Sequence, residues 1–254
     1  MSIPYRVLEF YPFRKIAVLL HTLLSRPIVI EVHGLKIAFP PHMLEPTLRN
    51  IEHIVLDHEY MEYLIEDCHV LTDIGAGIGL FTAYLSKVTN LRKAFLIEAN
   101  RSLVPYIDLN MKLNAVPQYT IINRAVCIEP GAREITLYVC NDGYASSTKL
   151  IHVLNHCSGY TTQRARCLDS KALCRILELS DTVKIDIEGV ELAFLTHYRS
   201  CLSKARNLII EVHTDLIDHQ RVAQILEDMG FKLVIHISTE SPQQITILAR
   251  SRRT

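Results

Sequence analysis

Four residues near the C-terminal third have the types and spacing to move a proton. Asp186 and Glu188 lie in the run VKIDIEGVE over 183–191, and Glu211 and His213 lie in IIEVH over 209–213. A carboxylate or imidazole beside an alcohol can act as general base. Oxygen ligands with an imidazole, as Asp186, Glu211 and His213 would supply, can instead hold a Mg- or Mn-like ion that acidifies a bound hydroxyl. Residues two apart in an extended segment face the same way, which predicts Asp186 beside Glu188 and Glu211 beside His213. Upstream, LTDIGAGIG over 71–79 carries Asp73, Gly75, Ala76, Gly77 and Gly79, and Glu98 closes the apolar run FLIE.

The glycine segment follows an apolar run and precedes a helical pattern, the setting in which such a loop holds a ligand. A nicotinamide loop would place glycine at 75, 77 and 80, but position 80 is Leu80. The third glycine is Gly79, and Asp73 stands two residues before the first, the pattern of a loop packed against the amino-acid and sulfonium end of S-adenosylmethionine. Glu98, about 20 residues on, is placed to accept both ribose hydroxyls. An NAD-dependent dehydrogenase and a non-catalytic S-adenosylmethionine-binding module are the alternative readings.

To position these groups the chain must supply parallel strands. From residue 69 onward apolar runs alternate with amphipathic segments, predicting a sheet covered on both faces. Strands are expected over 69–73, 94–98, 119–123, 183–187 and 207–212, with a final pair over 231–237 and 244–249. Helices are expected over 78–88, 103–113 with Ser102 as cap, 190–197, and 217–229 closed by Gly230. Residues 125–165 are expected to form a hairpin-like insertion, with turns at Pro130-Gly131 and Asn141-Asp142-Gly143. Residues 1–60, which hold six of the ten prolines, form an N-terminal extension with a helix and a short hairpin around Gly34, and a helix over 51–66 leads into a domain over 61–254.

Composition narrows the partners. Lys+Arg and Asp+Glu are equal at 27 each, so no global field attracts nucleic acid, and none is expected as partner. The seven cysteines are scattered without a Cys-x-x-Cys pair, which reads as core thiols in the cytoplasm. His152, His156, Cys157 and Cys167 cluster in sequence but match no zinc spacing. The apolar stretch 16–32 is broken by His21, Arg26, Pro27 and Glu31, so it is no membrane span. An amphipathic helix over 13–24 is expected to pack against the body of the protein.

Three blocks resemble the FkbM family of S-adenosylmethionine-dependent methyltransferases: 73–79 (DIGAGIG), 183–191 (VKIDIEGVE) and 209–213 (IIEVH). Weaker likeness at Glu98, Leu113-Asn114 and Asn123-Arg124-Ala125-Val126 extends the resemblance over roughly 60–215, with Gly77 standing where the family usually has asparagine. The resemblance implies a Rossmann-like class I methyltransferase fold with a mostly parallel seven-stranded sheet and helices on both faces. It also implies that Asn123 and Ala125 join the cofactor site, and that the reaction is O-methylation of a hydroxyl on a small molecule or glycan. No Asn-Pro-Pro-aromatic sequence follows 183–187, which weighs against amino methylation of nucleic-acid bases. No motif in 1–60 or 125–165 names the acceptor.

Overall fold

The computed structural model describes residues 2–9, 11–24, 26–57, 68–129, 131–143, 146–237 and 244–252. The N-terminal part contains β1 (Ile3–Pro4), α1 (Tyr11–Leu23), β2 (Ile28–Val32), β3 (Leu35–Phe39) and α2 (Leu44–Ile51). It continues as a wide helical turn over Glu52–Leu56. The rest of the helix expected over 51–66, and the junction near residue 60, lie outside the described residues.

Next come β4 (Val70–Ile74), α3 (Leu80–Val88), β5 (Lys93–Ile97), α4 (Val104–Leu113) and β6 (Tyr119–Ile122). An insertion follows, made of β7 (Glu134–Cys140), β8 (Ser146–Ser147), α5 (Leu150–His156) and β9 (Tyr160–Arg166). The chain then returns through α6 (Ser170–Leu179), β10 (Thr182–Ile185), α7 (Glu191–Leu202), β11 (Asn207–His213), α8 (His219–Asp228), β12 (Phe231–Ile237) and β13 (Gln244–Ser251).

The central sheet has seven strands in the order β12-β13-β11-β10-β4-β5-β6. All neighbours are parallel except β13, which runs against both β11 and β12. β10 is buried at every position, as the β-branched, two-sided run TVKI demands. The chain winds outward from β4 to β6 and then crosses back to β10, so strand order reverses between β4 and β10. Ligands of open α/β sheets bind at that switch point, beyond the carboxyl ends of the strands.

The N-terminal hairpin is locked to this sheet through α4. Asn110 Oδ1 accepts the Ala38 N–H at 2.6 Å, and its Nδ2 donates to Ala38 O at 2.9 Å and Ile78 O at 2.8 Å. Asn114 repeats the pattern on Lys36, accepting from its N–H at 3.0 Å and donating to its carbonyl at 2.7 Å. The insertion forms a separate antiparallel sheet, β8-β7-β9, that lies beside the switch point.

Several expectations need correction. α5, β9 and α6 lie outside the elements the sequence predicts. α6 is amphipathic, buries Leu173 and Leu177, and is capped by Asp169, whose side chain accepts from Ala172 N–H at 2.9 Å. Ser102 does not cap α4: its N–H and hydroxyl both donate to Asn100 Oδ1, at 3.1 and 2.7 Å, and the helix begins after Leu103. β10 stops at Ile185, and Glu188 turns into the left-handed region at φ 54°, so Glu188 does not sit beside Asp186 on one strand face.

The inward packing expected of the apolar stripe on α1 is also reversed. The helix buries Ala17 and anchors Arg14 on Leu8 O and Glu45, while Phe13, Ile16, Leu19, Leu20 and Leu23 stay exposed. Among the described residues no helix is long and apolar enough to cross a membrane.

The cysteines are not scattered thiols. Cys127–Cys167, Cys140–Cys157 and Cys174–Cys201 pair as disulfides with Cα atoms 5.5, 5.6 and 5.3 Å apart, and buried Cys68 stays free. The reading of a reducing compartment rested on unpaired thiols and loses that support.

Candidate active site

The turn after β4 is built around glycines because no side chain fits. Gly75 has φ +77°, and a Cβ there would run into the carbonyl of Asp186, whose N–H donates to Ile74 O at 3.0 Å. The ends of β4 and β10 thus touch backbone to backbone. Gly77, at φ +57°, faces open space, with nothing within 4 Å of an added Cβ.

Its N–H donates to Glu98 Oε2 at 2.8 Å, and the Asn100 N–H donates to Glu98 Oε1 at 2.6 Å. Burial pushes the Glu98 carboxyl up to about 7, against the pull of those two amides. One cavity is lined by Gly75, Gly77, Glu98, Ala125, Asp186 and Glu188 from the expected set. Met43 and Thr47 from the N-terminal part and Ile135 and Leu137 of β7 complete its wall.

Four of the residues expected at the cofactor support this cavity instead of lining it. Asp73 is fully buried beneath the loop, where it accepts the Thr82 hydroxyl at 2.7 Å, and burial raises its pKa. Ala76 is buried in the turn itself. Gly79 caps α3 in the left-handed region, where a Cβ would press on Met111 Cε at 3.0 Å, so its smallness serves helix packing. Asn123 Nδ2 donates to Glu98 O at 2.8 Å and to Ala99 O at 3.3 Å, holding the segment that presents Glu98.

At the acidic end, Lys184 Nζ donates to Asp186 Oδ2 at 3.0 Å, while Asp186 Oδ1 is buried without a hydrogen-bond partner. Burial disfavours the Lys184 charge, but Asp186, Asp73 and Glu211 together raise its pKa. Glu211 accepts from Gln244 Nε2 at 2.6 Å, and burial with the nearby Asp186 charge pushes it up to about 8.

His213 is 2% exposed at the end of β11, with Nδ1 3.2 Å from Glu191 Oε1 and Nε2 2.9 Å from Glu188 Oε2. Burial lowers the His213 pKa, but Glu188 and Glu191 outweigh it and lift the ring well above its ordinary value. Among the described residues Glu211 joins no group able to converge on an ion, so the set Asp186, Glu211 and His213 is not assembled. His213 gathers instead with Asp186 and Glu191, and with Glu188 and His152.

His152, His156, Glu191 and Asp215 were not in the expected set. The i,i+4 histidines on α5, and the pair His213-x-Asp215, were the visible signals. Their partners become apparent only when the insertion folds back.

The geometry fits an adenosyl ligand: an open glycine, a strand-end carboxylate facing it, and apolar walls between. The family match agrees with this. Residues 73–233 match the family described as the methyltransferase FkbM domain. A search of curated proteins returns no match. The crystal structure of M. jannaschii TYW2 in complex with AdoMet is similar with TM-score 0.52 and 16% identity, covering 88% of this chain and 85% of that one. A SAM dependent methyltransferase from Aquifex aeolicus has TM-score 0.46 and 14% identity, covering 79% and 91%. At these identities the first likeness supports the fold alone.

Proposed function

As the chain belongs to the methyltransferase FkbM domain family, and its cofactor is S-adenosylmethionine, we propose that it methylates a hydroxyl oxygen on a small molecule or glycan. The observation that carries this reading is Asp186: a carboxylate at the switch point with one oxygen tied to Lys184 and the other buried, unpartnered and beside the cavity.

The bound cofactor supplies a methyl group already activated by its sulfonium, so the chain's own part is binding, orientation and proton removal. Glu98 would accept the ribose hydroxyls with the lone pairs its two amide contacts leave over. Gly77 leaves room for the adenosyl body, and Gly75 lets the loop close against β10. Asp186 Oδ1 would take the proton that the acceptor hydroxyl loses on methylation. Lys184, 3.0 Å from Oδ2, fixes the direction of the Asp186 carboxylate for that step.

A hydroxyl acceptor is supported by this base, and a neutral chain disfavours a polyanionic one. Three disulfides support an oxidising compartment over the cytoplasm. Asp186→Asn tests the role because it keeps shape and removes the base. With a panel of glycosides and polyols, S-adenosylhomocysteine release should fall about a hundredfold or more, while affinity for S-adenosylhomocysteine stays within a few fold. Wild-type turnover in the folded variant would remove Asp186 from the chemistry.

A further inference from the structure

Behind Asp186, α5 of the insertion folds onto the ends of β10 and β11 and brings two imidazoles to one carboxylate. His152 Nε2 is 2.8 Å from Glu188 Oε2, and His213 Nε2 is 2.9 Å from the same oxygen. The rings are near perpendicular, with centroids 5.1 Å apart at 85°. Each ring gives its other nitrogen to an outer carboxylate. His213 Nδ1 faces Glu191 Oε1 at 3.2 Å, and His152 Nδ1 faces Asp215 Oδ2 at 3.3 Å. Carboxylates on Nδ1 fix the tautomer that leaves both Nε2 lone pairs pointing inward, the outer-shell arrangement of metal-bound histidines.

Both rings are almost fully buried, at 4% and 2% exposure, and His213 Nε2 makes no hydrogen bond of acceptable geometry despite its short distance to Glu188. Ligands of an ion flank it and do not aim at one another, which accounts for a close approach without a bond. The three ligand atoms lie within 4.8 Å of each other. A tetrahedral ion with bonds of about 2.0–2.1 Å spaces its ligands by about 3.3 Å, so closing on an ion needs only small shifts.

We propose that His152, Glu188 and His213 form a binding site for a zinc-class divalent cation. Two imidazoles and one carboxylate suit zinc, cobalt or manganese and not magnesium or calcium, which take oxygen. Three protein ligands leave a further position open, and Glu188 borders the cofactor cavity. On the proposed methyltransferase reading, the ion sits where it can bind and acidify the acceptor hydroxyl. His152 enters this site from α5, whose C-terminal end is tied to β7 by Cys140–Cys157, so that disulfide holds a ligand in place.

The test uses the full-length, tag-free, oxidised protein stripped with chelator. Zinc titration by calorimetry should show one site per chain, and Co2+ should give the visible absorption of a four-coordinate ion. His152→Ala and Glu188→Gln should each weaken zinc about a hundredfold and abolish the Co2+ bands, and His152→Ala, outside the cavity lining, should keep S-adenosylhomocysteine affinity within a few fold. Excess Mg2+ should not compete. Absence of zinc uptake by the folded wild type, or uptake unchanged in both variants, would overturn the assignment. S-adenosylhomocysteine binding measured in the same samples reports the methyltransferase reading separately. Zinc held with the stated ligand dependence supports the ion site even if the cofactor analogue fails to bind.

Discussion

Glu98 gives a pH dependence whose size follows from its surroundings. Its carboxyl is held up at about 7 in the ligand-free protein because it is 6% exposed and only two amides compensate the lost hydration. On the proposed placement at the ribose, its hydroxyls would donate to the ionised form, so binding would draw on the ionised fraction alone. That fraction is about one half at pH 7 and about one tenth at pH 6, so affinity for S-adenosylhomocysteine should fall about fivefold over that unit and then about tenfold, or about 1.4 kcal/mol, for each further pH unit below 6. Above pH 8 the curve should be flat.

The stability sign is opposite. A carboxyl whose folded value is raised from 4.5 to about 7 contributes stability that is full below pH 4.5 and lost as pH rises through 7. The loss amounts to about 3 kcal/mol, which Glu98→Gln should not show. Isothermal titration between pH 5.5 and 8.5, with chemical denaturation of the ligand-free protein over the same range, measures both. A flat wild-type binding curve, or the same slope in Glu98→Gln, would refute the placement of this carboxylate at the ribose.

Gly75→Ala forces a side chain to φ +77° and onto the Asp186 carbonyl, so it should cost about 3 kcal/mol or more in denaturation and abolish S-adenosylhomocysteine binding in any folded fraction. Thiol titration of the denatured, unreduced protein should find one reactive cysteine, Cys68, where a chain without disulfides would give seven. Reduction should lower the melting temperature, since the bonds close segments of 40, 17 and 27 residues and each such clip is worth about 2–4 kcal/mol. Asn110→Ala strands the Ala38 backbone groups, so it should destabilise by about 2–4 kcal/mol and loosen the N-terminal hairpin in hydrogen exchange.

The central sheet was legible because its signals are local. Buried parallel strands read as continuous apolar runs, and the spacing of Gly75, Gly77 and Gly79 after such a run marks a strand-to-helix ligand loop. Glu98 and Asp186 stand out by their places at or just beyond strand ends, whereas Ala125 is pointed to only by the family resemblance. What failed was the stretch 146–179. β9, YTTQRAR, is mostly exposed and polar and carries little apolar alternation, and α6 was overlooked although Asp169, Leu173 and Leu177 spell a capped amphipathic helix.

Disulfide pairing depends on long-range approach and is not contained in spacing. The same holds for His152, which meets Glu188 36 positions away and His213 61 away in the sequence numbering. Strand alternation also misplaced Glu188, because it was carried past Ile185, where the backbone leaves the extended region.

The loop from Gly75 to Gly79, with Glu98, is proposed to hold the adenosyl cofactor of methyl transfer at the switch point. Calorimetric titration of the oxidised protein at pH 8 with S-adenosylhomocysteine and, separately, with NAD tests it most directly. The expected result is one S-adenosylhomocysteine per chain, weakened by Glu98→Ala by about 1–3 kcal/mol, and no heat from NAD. Saturable NAD binding, or no S-adenosylhomocysteine binding by the folded chain, would contradict it.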